Sequence, residues 1–275
     1  MQAQGYCRLC GNLGGLSDSH LMPRALYRFV RGSLSGGQDL VVVTRARSWP
    51  SSRQVSDHVL CSECEARFNE NGERWVLKNC YRGQGTFKLR QSLEETPPLM
   101  GGNELLVYAA AHIASVEIRQ LLYFSSSVIW RAAAHTWRYE NYELERLLLG
   151  GRYQEELRRF LLGDQPFPSN AVLWVSVSNL SQPELAKTMV FPYGGRADGY
   201  HLYQFAIPGL RFHMFVGNCI PPLIHRMCTY RSPENLVYLT DKVDEEILSN
   251  FGKLSRTSKP SKRLKGASDK AGERG

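Results

Sequence analysis

Four cysteines are arranged in two pairs that could hold one metal ion. Cys7 and Cys10 form one C-x-x-C, and Cys61 and Cys64 form the other. Thiolates bind zinc tetrahedrally, and each C-x-x-C turn can bring two sulfurs to the same ion. Ordinary buried cysteines or a redox C-x-x-C are the alternatives, but two pairs in the first quarter of the chain favour a metal. The sequence therefore predicts a structural Zn²⁺ site made by these four residues.

The two pairs lie in different local contexts. Gly11 follows the first pair, which suits a tight knuckle, whereas Cys61 opens a segment whose apolar pattern predicts a helix from Leu60 to Leu77. The unpaired amides of a helix N-terminus help to hold thiolate charge. A knuckle combined with a helix start is the layout of a treble-clef zinc finger. Because a structural zinc ion supplies folding energy, we expect this segment to unfold when the ion is removed.

A second pattern lies close to the cysteines. Residues 19–23 read Ser-His-Leu-Met-Pro, and residues 60–65 read Leu-Cys-Ser-Glu-Cys-Glu. Together with the first C-x-x-C, they resemble the zinc-stapled HNH (ββα-metal) endonuclease group, in which a D-H-I-x-P-like segment is followed by L-C-x-x-C-H at a helix start. The resemblance covers about residues 5–75 and none of the rest of the chain.

The resemblance implies a specific chemistry. His20 would act as the general base on a water molecule, and Glu65 would stand where the group has a metal-binding histidine. A catalytic Mg²⁺ or Mn²⁺ would stabilise the charge on the cleaved phosphate. The chain departs from the pattern, since Ser19 replaces the usual acid, Glu65 replaces the last histidine and the middle asparagine is missing. His58 could substitute as ligand or base, and His20 could instead hydrogen-bond the zinc shell or be a zinc ligand.

Three arginines follow the His20 motif at helical spacing. A short helix is predicted from His20 to Val30, with Pro23 tolerated in its first turn. Arg24, Arg28 and Arg31 would then share one side of this helix. That side could meet the phosphates of a nucleic acid, or it could be a solubilising face.

The charge is unevenly distributed along the chain. The formal net charge is +8, and residues 252–275 alone contain eight basic and two acidic residues. This composition predicts a disordered basic tail, which could add affinity for a phosphate backbone. No stretch of about 18 uncharged apolar residues occurs, and the N-terminus lacks the layout of a signal peptide. We therefore expect a soluble, cytoplasmic protein with no membrane partner.

A Pro-Pro and a Gly-Gly within residues 91–102 predict a domain boundary. The N-terminal zinc domain would then span residues 1–95 and a second domain of unknown role residues 103–251. In the second domain, a long helix is predicted from Glu104 to Trp137, with a break near Ser125–Ser127. Further helices are predicted at Tyr142–Leu149, Tyr153–Leu162 and Val243–Leu248, and an antiparallel meander of strands at Ala171–Val177, Lys187–Phe191, Tyr200–Ile207 and Arg211–Val216.

The pattern as a whole predicts an α+β protein: a treble-clef zinc domain, a long-helix plus antiparallel-sheet domain and a disordered tail. The first functional hypothesis is a zinc-binding, HNH-like protein that acts on DNA or RNA, with His20 and Glu65 as catalytic residues and a bacterial or phage setting implied by the resemblance. The alternative is a non-catalytic treble-clef module that binds nucleic acid or a protein. Residues 103–251 would supply a homodimer surface or a partner site.

Overall fold

The computed structural model describes most of the chain. The described residues are 3–32, 40–43, 47–51, 53–83, 86–139, 142–181, 188–197, 199–242 and 259–260. The predicted helix at Val243–Leu248 and all of the predicted tail except Lys259–Pro260 lie outside them. The described part is a mixed α+β structure, as the sequence predicts.

A small antiparallel sheet carries the cysteine pairs and His20. It contains strands β1 (Ala3–Tyr6), β2 (Leu13–His20) and β5 (Ser56–Cys61), in the order β1-β2-β5. The chain turns through the first cysteine pair between β1 and β2, and β5 leads directly into the second pair. Helix α1 (Arg24–Gly32) follows β2 after a short turn.

The predicted helix at His20–Val30 is wrong at its start. His20 is the last residue of β2 and pairs with Ser56 of β5, so its backbone is extended. The helix begins at Arg24, directly after Pro23. Proline suits this place because its fixed φ matches a helical start and its missing N–H is not needed there.

Between α1 and β5, strand β3 (Leu40–Val43) pairs with β4 (Arg47–Ser51), and β15 (Lys259–Pro260) runs parallel to β4. The β-branched run at residues 40–44 predicts a strand, which the structure confirms over Leu40–Val43. The serines and Pro50 of residues 48–56 predict a loop, which is wrong because β4 continues to Ser51 and β5 begins at Ser56.

A segmented helix follows the second cysteine pair. It consists of α2 (Ser62–Phe68), a π-helical turn (Asn69–Glu73) and α3 (Arg74–Asn79), and a separate helix α4 (Lys88–Glu94) precedes the Pro-Pro segment. The helix predicted at residues 60–77 is therefore confirmed from Ser62 onward. Its middle turn is π-helical, with hydrogen bonds between residues five apart, so this turn is wider than an α-helical one.

The long helix predicted from Glu104 to Trp137 is much shorter than expected. Its first part forms strand β7 (Leu105–Ala109) and a single 3-10 turn (Ala110–His112), and the α-helix α5 covers only Ile118–Ala134. The short strand β6 (Met100–Gly102) lies just before the predicted helix. Strand β7 pairs with β14 (Leu236–Leu239), a partner that lies far away in the sequence. Local apolar pattern could not reveal this pairing, because short buried helices and strands look alike in sequence.

No break occurs at the serines of α5. The hydroxyls of Ser125 and Ser126 donate to the carbonyl of Leu122, and Ser127 donates to Phe124. Each hydroxyl therefore finds a partner within the preceding turn, and the helix continues through these buried residues. The expectation of a break is wrong for this reason.

The predicted helix at Tyr142–Leu149 is also wrong. Residues Tyr142–Glu143 form strand β9, which pairs with β8 (Arg138–Tyr139), and the following residues to Gly150 have no regular structure. The next prediction, a helix at Tyr153–Leu162, is confirmed by α6 (Gly151–Leu162).

A seven-stranded sheet forms the C-terminal part, in the order β11-β12-β13-β10-β14-β7-β6. All four predicted strands form, and the antiparallel meander is confirmed for β11 (Val190–Ala197), β12 (Tyr200–Ile207) and β13 (Leu210–Gly217). The meander is wrong for β10 (Ala171–Val177), which pairs antiparallel with β13 instead of β11 and parallel with β14. Strand β11 extends further than predicted, because Gly194 to Ala197 still pair with β12.

Helix α5 connects this sheet to the N-terminal segment. On one side, the ring of Phe124 lies 5.9 Å from Phe205 and 5.5 Å from Phe212 of the sheet. On the other side, Trp130 lies 6.3 Å from Phe68 of α2. Side chains from residues 1–95 and 103–251 belong to one buried cluster, and the division into two domains stays a prediction.

None of the helices in the described part of the chain is both long and apolar enough to cross a bilayer.

Candidate metal centre and the neighbouring polar site

The four predicted cysteines come together. The sulfur atoms of Cys7, Cys10, Cys61 and Cys64 all lie within 4.8 Å of one another. The Cys10 and Cys61 sulfurs are 3.9 Å apart. Such distances allow all four thiolates to surround one ion, and an all-sulfur tetrahedral set is characteristic of zinc. The arrangement could therefore hold a metal ion, as the sequence predicts.

The first pair is fixed by a hydrogen-bonded knuckle. The Gly11 amide donates to the Cys7 carbonyl (2.8 Å), and the Cys7 amide donates to the Asn12 carbonyl (2.9 Å). Gly11 has a φ of +79°, a left-handed conformation that glycine adopts without strain. The amide of Arg8 also donates to the Val59 carbonyl (3.0 Å), which ties the knuckle to β5.

The second pair lies at the start of α2. Cys61 is the N-cap residue in an extended conformation, and Cys64 lies one turn into the helix, where it is buried. Cys7 is buried as well, whereas Cys10 and Cys61 are half-buried. The site therefore has an inner pair of sulfurs and an outer pair that is closer to solvent.

The packing of the sulfurs already favours thiolate formation. A hydrogen bond with the Cys64 thiol lowers the pKa of Cys7 to about 4. The same contact and burial raise the pKa of Cys64. The Cys64 thiol donates to the Cys7 thiolate, which explains both directions, and a bound cation would displace the thiol protons.

A residue from the C-terminal part supports the knuckle. Arg158 of α6 donates through its Nη1 atom to the carbonyl of Leu9 (2.7 Å), which lies between the two cysteines of the first pair. Glu155 accepts two further hydrogen bonds from the same guanidinium. The knuckle is thereby attached to a helix that the resemblance does not cover.

His20 lies at the far end of β2 from the residue that pairs with Cys61, and it is not part of this centre. In the described residues, the four cysteines are the one group of three or more potential ligands within such a distance, which does not support His20 as a zinc ligand. The ring is half-buried, and its Nδ1 atom lies 3.1 Å from the Asp18 carbonyl. If Nδ1 carries the proton for this hydrogen bond, Nε2 is left as the basic atom of the ring.

Glu65 faces the interior next to His20. Its Oε1 atom is buried and has no hydrogen-bond partner among the described residues. Burial raises the pKa of this carboxyl and Glu73 adds to the rise, while Arg131, the Ser19 hydroxyl and His20 lower it. The net pKa is raised, so the carboxyl keeps its proton to a higher pH than an exposed glutamate does.

Ser19, which replaces the acid expected before His20, has a structural role. Its buried hydroxyl accepts a hydrogen bond from the Leu60 amide (3.0 Å) and so joins β2 to the start of the second cysteine pair. An aspartate would bring a charge into this buried position, which explains why a small neutral acceptor fits it.

The centre of the polar site is Arg131, which the sequence patterns did not single out. Arg131 is 1% exposed, although it lies on the long apolar helix α5. Its Nη1 atom donates to the His20 carbonyl (2.7 Å), and its Nη2 atom forms an ion pair with Glu73. The guanidinium also lies 4.9 Å from the centre of the Phe68 ring. A charged residue in the C-terminal part thus reaches into the N-terminal segment.

The π-helical turn allows this approach. Glu73 is the last residue of the π-helical turn. Gly72, just before it, is buried where the turn packs against α5. A Cβ atom on Gly72 would lie 2.8 Å from the backbone nitrogen of Phe124, so any side chain there would push the two helices apart. Arg131 lies two turns further along α5 from Phe124.

A second ion pair joins the same two parts. His135, just after α5, has its Nε2 atom 2.8 Å from Oδ2 of Asp57 on β5, and the other carboxylate oxygen accepts from the His58 amide (2.7 Å). Partial burial raises the pKa of Asp57, but these contacts outweigh it and lower the pKa overall. His58 itself is exposed.

The three predicted nucleic-acid residues share a surface. Arg24, Arg28 and Arg31 are all exposed, while Leu26, Tyr27 and Val30 on the opposite side of α1 are buried. Within the described part of the chain, no carboxylate forms an ion pair with any of the three arginines. Their charges are therefore available to an anionic partner.

Searches against protein-family models, curated proteins and solved structures find no match for this chain.

Proposed function

We propose that this chain is a zinc-binding, HNH-like protein that acts on nucleic acid, with His20 as the general base in phosphodiester hydrolysis. The observation that carries the proposal is the position of His20 at the end of strand β2, which pairs with the strand that leads into the second cysteine pair, and its closeness to Glu65 of helix α2. Two antiparallel strands followed by a helix, with these residues at those places, agree with the resemblance. Zinc is the ion that four cysteines best fit.

In the proposed reaction, Nε2 of His20 accepts a proton from a water molecule that attacks the phosphorus atom. The contact of Nδ1 with the Asp18 carbonyl keeps the ring oriented and favours the required tautomer. The P–O bond to the leaving oxygen breaks as water adds, and that oxygen takes up a proton. Glu65 is the second proposed functional residue, and burial raises the pKa of its carboxyl. The zinc ion fixes the strands and the helix and takes no part in the step.

Replacing His20 by alanine tests the catalytic role. We expect the zinc-loaded wild type to cleave plasmid DNA or RNA, in buffer with or without Mg²⁺ or Mn²⁺, and the variant to be slower by about 10²–10⁴-fold because the base is lost. The measurement is the single-turnover cleavage rate at equal zinc content. His112→Ala, at an exposed histidine outside the segment that the resemblance covers, is the matched control and keeps its rate. If neither protein cleaves either substrate, the nuclease hypothesis is rejected.

The arginine face of α1 supports nucleic-acid binding in particular. We expect the triple change Arg24→Gln, Arg28→Gln and Arg31→Gln to reduce the slope of log K against log salt by about 2–3 on duplex DNA, since each phosphate contact contributes nearly one. Fluorescence anisotropy over a salt series measures it. Arg152→Gln, an exposed arginine on α6, is the control and leaves the slope unchanged. An unchanged slope in the triple variant would mean that this face only solubilises.

A non-catalytic treble-clef module is the second candidate, and one observation favours it. The Oε1 atom of Glu65 is buried, and the neighbouring Glu73 is engaged by Arg131, so neither carboxyl opens directly to a substrate. In that case the arginine face would bind nucleic acid without cleaving it, or residues 103–251 would bind a second copy or another protein. Binding that survives His20→Ala, with no cleavage by the wild type, distinguishes this candidate.

A further inference from the structure

The divalent ion implied by the resemblance does not fit the residues that surround Glu65. Mg²⁺ and Mn²⁺ prefer several oxygen ligands, of which ionised carboxylates contribute most. Around this site, Glu65, Glu73 and the His20 ring offer the potential ligand atoms. In the described chain these three do not form a cluster of closely spaced ligands, whereas the four cysteines do.

A positive charge already occupies the middle of the site. The guanidinium of Arg131 forms an ion pair with Glu73 and donates a hydrogen bond to the His20 carbonyl. It is held there by burial and by the Phe68 ring. A divalent ion at this place would have to approach a buried cation in a medium of low dielectric, where repulsion between like charges is strong.

The carboxyls that would bind the ion are also poorly placed for it. The Oε1 atom of Glu65 is buried and has no hydrogen-bond partner among the described residues, so an ion would have to enter a closed site. Glu73 forms an ion pair with Arg131, so its carboxylate is already engaged within the protein.

We propose that Arg131 is the resident cation of this site and that the site does not bind Mg²⁺ or Mn²⁺. The proposal deepens the proposed function and, as a statement about mechanism, rests on it: hydrolysis at His20 proceeds without a divalent ion. Arg131 is fully buried and touches no substrate, so it is a positioning residue that holds the His20 backbone and balances the carboxyl groups.

The test is a Mn²⁺ titration of the full-length, zinc-loaded protein, followed by electron paramagnetic resonance. We expect the wild type and Arg131→Lys, which keep the charge, to show no saturable binding up to about 1 mM, a level at which an open oxygen-ligand site would fill. Arg131→Met removes the cation and leaves both carboxyls. It should bind one Mn²⁺ at least about tenfold more tightly than the wild type, because Glu65 and Glu73 are then uncompensated.

Stability provides a second readout if Arg131→Met folds poorly. Mn²⁺ should raise the melting temperature of Arg131→Met and leave that of the wild type unchanged, since only a protein that binds the ion is stabilised by it. Adding Glu65→Gln to Arg131→Met should abolish both the binding and the shift. Zinc content is measured in every sample, so that loss of the cysteine site is not mistaken for loss of the second one.

Two results would overturn the proposal. One is stoichiometric Mn²⁺ binding by the wild type that Glu65→Gln removes, and the other is an Arg131→Met protein that folds and binds no Mn²⁺. Cleavage assays separate this proposal from the proposed function. Cleavage that strictly needs Mg²⁺ or Mn²⁺ would contradict Arg131 as the resident cation, whereas absence of any cleavage would reject the nuclease and leave the Mn²⁺ binding results standing.

Discussion

Replacing Cys64 by serine is expected to abolish stoichiometric zinc binding and to unfold the knuckle, β2 and the start of α2. A structural zinc ion contributes about 10–16 kcal/mol to the folding of a small zinc module. A whole domain is stable by only about 5–15 kcal/mol. The folding free energy lost with the ion therefore exceeds the stability that the small sheet can supply by itself. Cys64 is the most informative position because it is buried and contacts Cys7.

The measurement combines metal analysis with hydrogen exchange. In Cys64→Ser, we expect less than one zinc per chain and fast exchange of the amides of residues 3–20 and 56–68, while those of β12 and β13 stay protected. Cys219→Ser is the matched control, because Cys219 is exposed and lies outside the cluster. It should retain one zinc per chain. A Cys64→Ser protein with full zinc and unchanged protection would show that the four sulfurs do not hold the segment together.

Replacing Arg131 by methionine is expected to destabilise the protein by about 3–5 kcal/mol, the usual cost of leaving one partner of a buried ion pair unpaired. The change leaves Glu73 without its cation and removes the hydrogen bond to the His20 carbonyl. Urea denaturation at saturating zinc, without divalent ions, measures the loss. Because Arg131 contacts residues of both parts of the chain, we expect both parts to lose stability.

Two further variants show how much of that loss of stability comes from the unpaired buried charge. Arg131→Met combined with Glu73→Leu removes both charges, and it should recover a substantial part of the stability because a buried ion pair is often no better than apolar packing. Arg152→Met breaks an exposed pair with Glu156 on α6 and should cost less than about 1 kcal/mol. If Arg131→Met were as stable as Arg152→Met, the ion pair would not be a buried structural contact.

The cysteine site could be predicted because its signal is local. Each C-x-x-C is a short turn whose geometry depends on few residues, and two such turns restrict each other strongly. The meander of β11 to β13 is predictable for a similar reason, since its neighbouring strands are joined by short turns. In both cases the contacts that matter lie close together in sequence or follow a fixed spacing.

The rest of the site depends on contacts over long sequence distances. Strand β7 forms because β14 is available, and the π-helical turn forms where α5 packs on Gly72. Neither partner is visible in the local pattern, which is why the helix at Glu104–Trp137 was predicted too long. Arg131 did leave a signal: it is the single charged residue between positions 120 and 134 of an apolar helix. Such a residue requires a buried partner, but the sequence does not say which acid supplies it.

The close packing of α5 on Gly72 has a consequence for motion between the two parts of the protein. Because the backbone of α5 sits within contact distance of the place where a Cβ would be, the helix cannot slide along its axis without bringing a larger residue against Phe124. Steric contact alone therefore blocks movement of α5 along its axis in either direction. A signal that arrives at one part, such as a bound partner on the sheet, would reach His20 as a rigid displacement of the whole helix and not as a change in helix register.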